Sequence, residues 1–89
     1  MVSKEFIVKN KTGIHARPAS MLTELCSKIN DNIAIVLDDG RRINPKVILN
    51  VLMAGMHKGT HITIEVEGEN EEESLEKIME LLESFKEEE

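Results

Sequence analysis

Residues 12–20 read "TGIHARPAS", with a histidine, an arginine two residues on and a proline directly behind it. An imidazole changes charge near neutral pH, and its neutral ring nitrogen is a nucleophile. A guanidinium is a permanent cation whose planar fork of donors matches phosphate oxygens. Proline is tolerated in a helix only in the first turn, where amides have no helical partner. Pro18 therefore places a helix start just after His15. A helix N-terminus presents backbone N–H groups and about half a positive charge, so an anion is stabilised there, phosphate above all. If a ring nitrogen of His15 took a phosphoryl group, the new oxygens would meet the amides of Ala16 and Arg17. The Arg17 side chain would add a charge-assisted contact. The turn at Gly13 leaves the ring exposed, as suits a group that must meet another protein. On residue types and spacing alone, a histidine that merely caps the helix or sits on the surface fits as well.

The elements that must hold this segment follow from hydrophobic period and turn chemistry. "EFIVK" reads as a first strand, with Phe6 and Val8 on one face and Ile7 on the other. A helix runs from Ala16 to about Ile29, its apolar stripe being Leu22, Leu25, Cys26 and Ile29. "NIAIVL" is a second strand, "DDG" a hairpin turn and "RRIN" a short third strand. Asn44 and Pro45 read as an N-cap and first helical position, opening the helix "KVILNVLMAG" that Gly55 ends. "THITIEVE" is a fourth strand with Ile62, Ile64 and Val66 inward, broken by Gly68. Asn70 caps a last helix, Glu71, Glu72 and Glu73 suit its positive end, and Leu75, Ile78, Met79, Leu82 and Phe85 form its stripe. The order βαββαβα, without strict βαβ alternation, predicts an α+β sandwich: a four-stranded sheet with helices on one face.

The second helix is the odd one. Its run Val47–Met53 is polar only at Asn50, which is apolar on too many sides for a short helix that buries one stripe on a sheet. Either it is fully buried or part of it is an exposed docking surface, and a domain this small favours the second.

Composition narrows the classes. The 89 residues make one domain, 1–89, with an acidic tail from about residue 86. With 40% hydrophobic and 31% charged residues, the chain is composed like a soluble globular protein. No apolar run reaches a membrane span's length and no apolar segment of a signal peptide opens the chain, so a cytoplasmic location is expected. From Glu65 onward there are 12 acids and two bases, against five acids and nine bases before it. That acidic third, and only two aromatics (Phe6 and Phe85), argue against a nucleic-acid partner. Cys26 lies in the first helix's core stripe and reads as a small apolar filler. His57 and His61 are four apart with Gly59 between them, so they share no helical face and read as surface residues. No metal and no cofactor are expected.

"GIHARPAS" resembles the active-site motif of HPr, the histidine-containing phosphocarrier family of the bacterial phosphoenolpyruvate-dependent sugar phosphotransferase system. The likeness covers nearly the whole chain, including "KV-ILNVLMAG", "KGTHITI" and the final amphipathic helix. The resemblance implies an open-faced β-sandwich, a four-stranded antiparallel sheet with three helices. It implies a stoichiometric carrier and not an enzyme. His15 matches the histidine that carries the phosphoryl group on Nδ1, and Arg17 the arginine that assists transfer. Enzyme I would donate and enzyme IIA domains would accept, with the carrier a monomer. Ile48, Leu49 and Leu52 match the exposed apolar residues that dock, with Arg17, against these partners.

One position departs from the pattern. Many family members from low-GC Gram-positive bacteria carry "KSIMG" at the second helix, with a serine that a dedicated kinase phosphorylates. The matching stretch here is "KVILN", and Val47 stands where that serine would be. Valine has no hydroxyl, so that regulation is absent at this site. The alternative to a sugar-transport carrier is thus a paralogue acting as a phosphorylation-dependent regulatory module, in a nitrogen-related or dihydroxyacetone branch. A paralogue that has lost the histidine is excluded by His15.

Overall fold

The two strands with the cleanest alternation form the middle of the sheet. In the computed structural model, which describes residues 1–85, β2 spans Asn32–Leu37 and β4 spans His61–Glu67. Ile33, Ile35 and Leu37 of β2 and Ile62, Ile64 and Val66 of β4 are all buried on one face. β1 (Val2–Ile7) pairs with the outer side of β4 and β3 (Arg42–Ile43) with the outer side of β2. The order is β1-β4-β2-β3 and every pairing is antiparallel. The register puts Phe6 opposite Ile62 and Ile35 opposite Ile64, which keeps all these side chains on the core face.

Three helices cover that face: α1 (Ala16–Ser27), α2 (Ile48–Met53) and α3 (Glu71–Ser84). Leu22 and Cys26 of α1 and Ile78 and Leu82 of α3 join the sheet residues in one core, with Phe85 directly after α3. Leu25, Ile29, Leu75 and Met79 are half-buried at its margin. The result is the α+β open-faced sandwich the sequence predicts.

The boundaries differ where local hydrogen bonding overrides the periodic signal. β1 starts at Val2, ahead of the expected "EFIVK", because its backbone pairs with β4 as far as Val66. α1 ends at Ser27, and the Lys28 and Ile29 amides close tighter three-residue turns on Leu25 and Cys26. β3 is two residues and not four. α2 does not begin at Asn44. Asn44 Oδ1 accepts the Lys46 amide at 3.0 Å and the Asn44 carbonyl accepts the Val47 amide at 3.1 Å, so the asparagine forms a turn of its own. Pro45 is buried within that turn, and the helix starts at Ile48 with Val47 as its N-cap.

α3 is capped from a distance. Asn70 occupies the N-cap position, yet its side chain makes no cap hydrogen bond. Buried Asp31 takes the role: its Oδ2 accepts the Ser74 hydroxyl at 3.0 Å and its Oδ1 faces the Asn70 amide at 3.5 Å. The acidic tail expected from about residue 86 lies outside the described residues.

Candidate functional site

The loop between β1 and α1 carries the histidine, and backbone bonds brace it on both sides. After β1, Val8 donates to the Thr60 carbonyl at 3.0 Å and accepts from Gly59 at 2.8 Å. Ile14, itself buried, donates to the Met56 carbonyl at 2.7 Å. Gly13 has φ +75, and a Cβ there would collide with the Met56 carbonyl oxygen and lie 2.7 Å from His57 Cα. Only glycine fits this conformation and this close approach of two backbones. Asn10 is buried, and its side-chain amide donates to the Gly13 carbonyl at 2.7 Å.

His15 follows as the N-cap of α1, with extended φ −138 and ψ 173. Its side chain makes no cap hydrogen bond and is exposed. An imidazole used as a cap would be tied to the helix amides; this one is not. Arg17 is exposed in the same first turn, while Pro18 and Ala19 are buried and anchor the helix start to the core. Ala16 has φ +44, the one positive-φ residue other than glycine among the described residues. A Cβ in that region is strained by about 1–2 kcal/mol. The strain sits next to His15 and sets the angle at which the chain turns into the helix.

The electrostatics differ between the helix ends. The first turn of α1 contains no acidic residue. The first turn of α3 contains Glu71, Glu72 and Glu73, and Glu71 Oε2 lies 3.2 Å from the amino terminus. The Gly68 amide, then the amino terminus, hold the Glu71 carboxyl below the usual carboxylate range. The positive end of α3 is answered by acidic side chains of its own first turn, and the first turn of α1 has none.

α2 packs against α1. Val51 is fully buried, but Val47, Ile48, Leu49, Leu52 and Met53 are exposed, Leu49 to 62% and Met53 to 77%. The helix therefore presents an apolar patch to solvent. Its C-terminal end runs into the Met56–Thr60 turn that braces Gly13 and Ile14, which ties the patch to the His15 loop. Arg41 secures it from the other side. Its guanidinium donates to the Ala54 carbonyl at 3.0 Å and to the Asp39 carboxylate at 2.9 Å. The Arg41 backbone amide, and then its guanidinium, hold the exposed Asp39 carboxyl below its usual range. Met53, Asn10 and the Met56 brace were not singled out from the sequence. Met53 was visible there as one of the surplus apolar residues of the short helix; Asn10 carried no signal.

The remaining titratable candidates are Cys26, His57 and His61. Cys26 is buried and burial pushes its thiol up to about 12, with Lys46 acting weakly in the opposite direction. His57 closes a turn in which Thr60 donates to its carbonyl at 3.0 Å, and His61 opens β4. Among the described residues no three His, Cys, Asp or Glu side chains are grouped so as to hold a metal ion, and no helix is long and apolar enough to cross a membrane.

The exposed histidine at the start of α1, on an open-faced βαββαβα sandwich, has counterparts among known proteins. Residues 2–84 match the family model described as the PTS HPr component phosphorylation site. The chain belongs to the HPr family, the phosphocarriers of the phosphotransferase system. It is 39% identical over 79 residues to the phosphocarrier protein HPr of Mycoplasma pneumoniae, covering 89% of this chain and 90% of that protein. HPr from Thermoanaerobacter tengcongensis superposes with a TM-score of 0.92 at 34% identity, over 100% of this chain and 99% of that one. Crh, the Bacillus subtilis catabolite repression protein, superposes at 0.72 and 30% identity, over 94% and 95% of the two chains.

Proposed function

We propose that His15 is the residue that carries the phosphoryl group, accepting it on Nδ1 from the phosphohistidine of enzyme I and passing it to enzyme IIA domains for sugar uptake. In each transfer the N–P bond of the donor breaks as the bond to the acceptor nitrogen forms, and the donor imidazole leaves neutral. The chain is a stoichiometric carrier, a monomer working in the cytoplasm, and not an enzyme with a substrate of its own. The observation that carries this reading is the exposed, uncapping His15 ring at the start of α1, a helix whose first turn contains no acidic residue.

Each neighbour has a part. The backbone at Ala16 and Arg17 faces the transferred oxygens, and the Arg17 guanidinium neutralises charge that builds as the phosphoryl group moves. Ile48, Leu49 and Leu52, with Met53 beside them, bury apolar surface against each partner and hold the two histidines in line. A modest site of one helix end and one arginine suits a group that must be handed on.

The test is transfer in two steps. The protein is incubated with phosphoenolpyruvate and enzyme I, and the labelled product is then offered to purified sugar-specific IIA domains. Label that moves on supports the sugar carrier. Label that no sugar acceptor takes contradicts it and supports the regulatory paralogue, for which Val47 in place of a regulatory serine is the favouring observation.

A further inference from the structure

We propose that Asn10 is a positioning residue for His15, acting through the Gly13–Ile14 peptide; this rests on the reading of His15 as the phosphorylated residue. The Gly13 carbonyl and the Ile14 amide belong to one planar peptide unit. Asn10 Nδ2 holds its carbonyl at 2.7 Å and the Met56 carbonyl holds its N–H at 2.7 Å. A unit fixed at both ends cannot rotate about its flanking bonds. The Asn10 carbonyl also accepts the Gly13 amide at 3.1 Å, so the asparagine grips the turn by backbone and side chain together.

The next residue along is His15. Beyond it stands Ala16 at φ +44, which persists only if the chain is fixed on both sides. On the helix side, buried Pro18 and Ala19 provide that anchor. On the loop side, it is the Gly13–Ile14 unit. Asn10 is 2% exposed, so no water replaces its amide readily when it is lost. Without it the Gly13 carbonyl is left without that partner, the peptide gains freedom to tilt, and the ring leaves the line of attack. Misplacement of a reacting group by about 1 Å lowers rates by up to about 100-fold.

The experiment compares the wild-type protein with Asn10→Ala and Asn10→Asp, phosphorylated by enzyme I at varied carrier concentration. Asp keeps the size of Asn but, ionised, has no donor for the Gly13 carbonyl. Both variants are expected to lower kcat about 10- to 100-fold with KM changed less than about two-fold, because the α2 patch is untouched. In NMR spectra the three-bond HN–Hα coupling of Ala16 moves in both from its positive-φ value toward a helical one. The wild-type protein gives a further readout that needs no variant: an Asn10 side-chain amide proton protected from solvent exchange. A folded Asn10→Ala with wild-type kcat and Ala16 coupling overturns the proposal, as does restored kcat in Asn10→Asp or a freely exchanging Asn10 amide. Absence of any label on residue 15 of the wild-type protein overturns the site reading itself, and the Asn10 role with it.

Discussion

The strain at Ala16 gives a prediction that separates the folded state from the unfolded one. Ala16→Gly and Ala19→Gly make the same chemical change three residues apart, so the added freedom of the unfolded chain, about 1 kcal/mol, is common to both. The folded states respond in opposite directions. At Ala16, with φ +44, glycine relieves about 1–2 kcal/mol of strain. The variant is therefore neutral or more stable by up to about 1 kcal/mol. At Ala19, fully buried in a regular helical turn, glycine also removes one packed methyl group, about 0.8 kcal/mol. That variant is less stable by about 2 kcal/mol. The pair should differ by about 2–3 kcal/mol, which places their urea midpoints roughly 1–2 M apart at unchanged m-value. The chain has no Trp or Tyr, so unfolding is followed by far-UV circular dichroism. Equal destabilisation by the two substitutions would refute the strained turn.

Three other outcomes follow. Asp31→Ala removes the distant cap of α3 and leaves the Ser74 hydroxyl buried without its partner, so it should cost about 2–4 kcal/mol, and combining it with Ser74→Ala should cost less than the sum; additive losses in urea melts would refute the cap. Cys26 is raised from 9.0 to about 12 in the folded state, so between those values the unfolded state releases a proton that the folded state keeps, and stability falls as pH rises. Urea melts from pH 9 to pH 11 should show a slope of about 1 kcal/mol per pH unit beyond that of Cys26→Ala, and the native thiol should resist alkylation at pH 8; equal slopes would contradict the burial. Leu49→Ala removes an exposed side chain, so it should change stability by less than about 0.5 kcal/mol yet raise KM for enzyme I several-fold; an unchanged KM would remove Leu49 from the docking patch.

How much was legible depended on where the information lay. β2 was readable to the residue because strict alternation of Ile33, Ile35 and Leu37 has one solution as a half-buried strand. The start of α1 was readable because Pro18 permits few others. The start of α2 was not: Asn44-Pro45 serves a helix start and an independent turn equally well, and the hydrogen bond to Lys46 decided it. Asp31 capping α3 joins residues 43 apart, beyond any local pattern. At the site, His15 and Arg17 announced themselves by residue type. The strain of Ala16 and the grip of Asn10 did not, since alanine carries no mark of a positive φ and a buried asparagine looks like any polar loop residue. What the fold added was the brace: two chain segments, Asn10–Ile14 and Met56–Thr60, that hold the histidine and α2 in one frame.

The role of His15 as the carrier of the phosphoryl group is open to direct test. Its most direct measurement is mass-spectrometric mapping of the protein after incubation with phosphoenolpyruvate and enzyme I, beside His15→Ala treated in parallel. One acid-labile phosphoryl group per chain on His15, absent from the variant, is the expected result. Label that persists in His15→Ala, or maps to another residue, would contradict it.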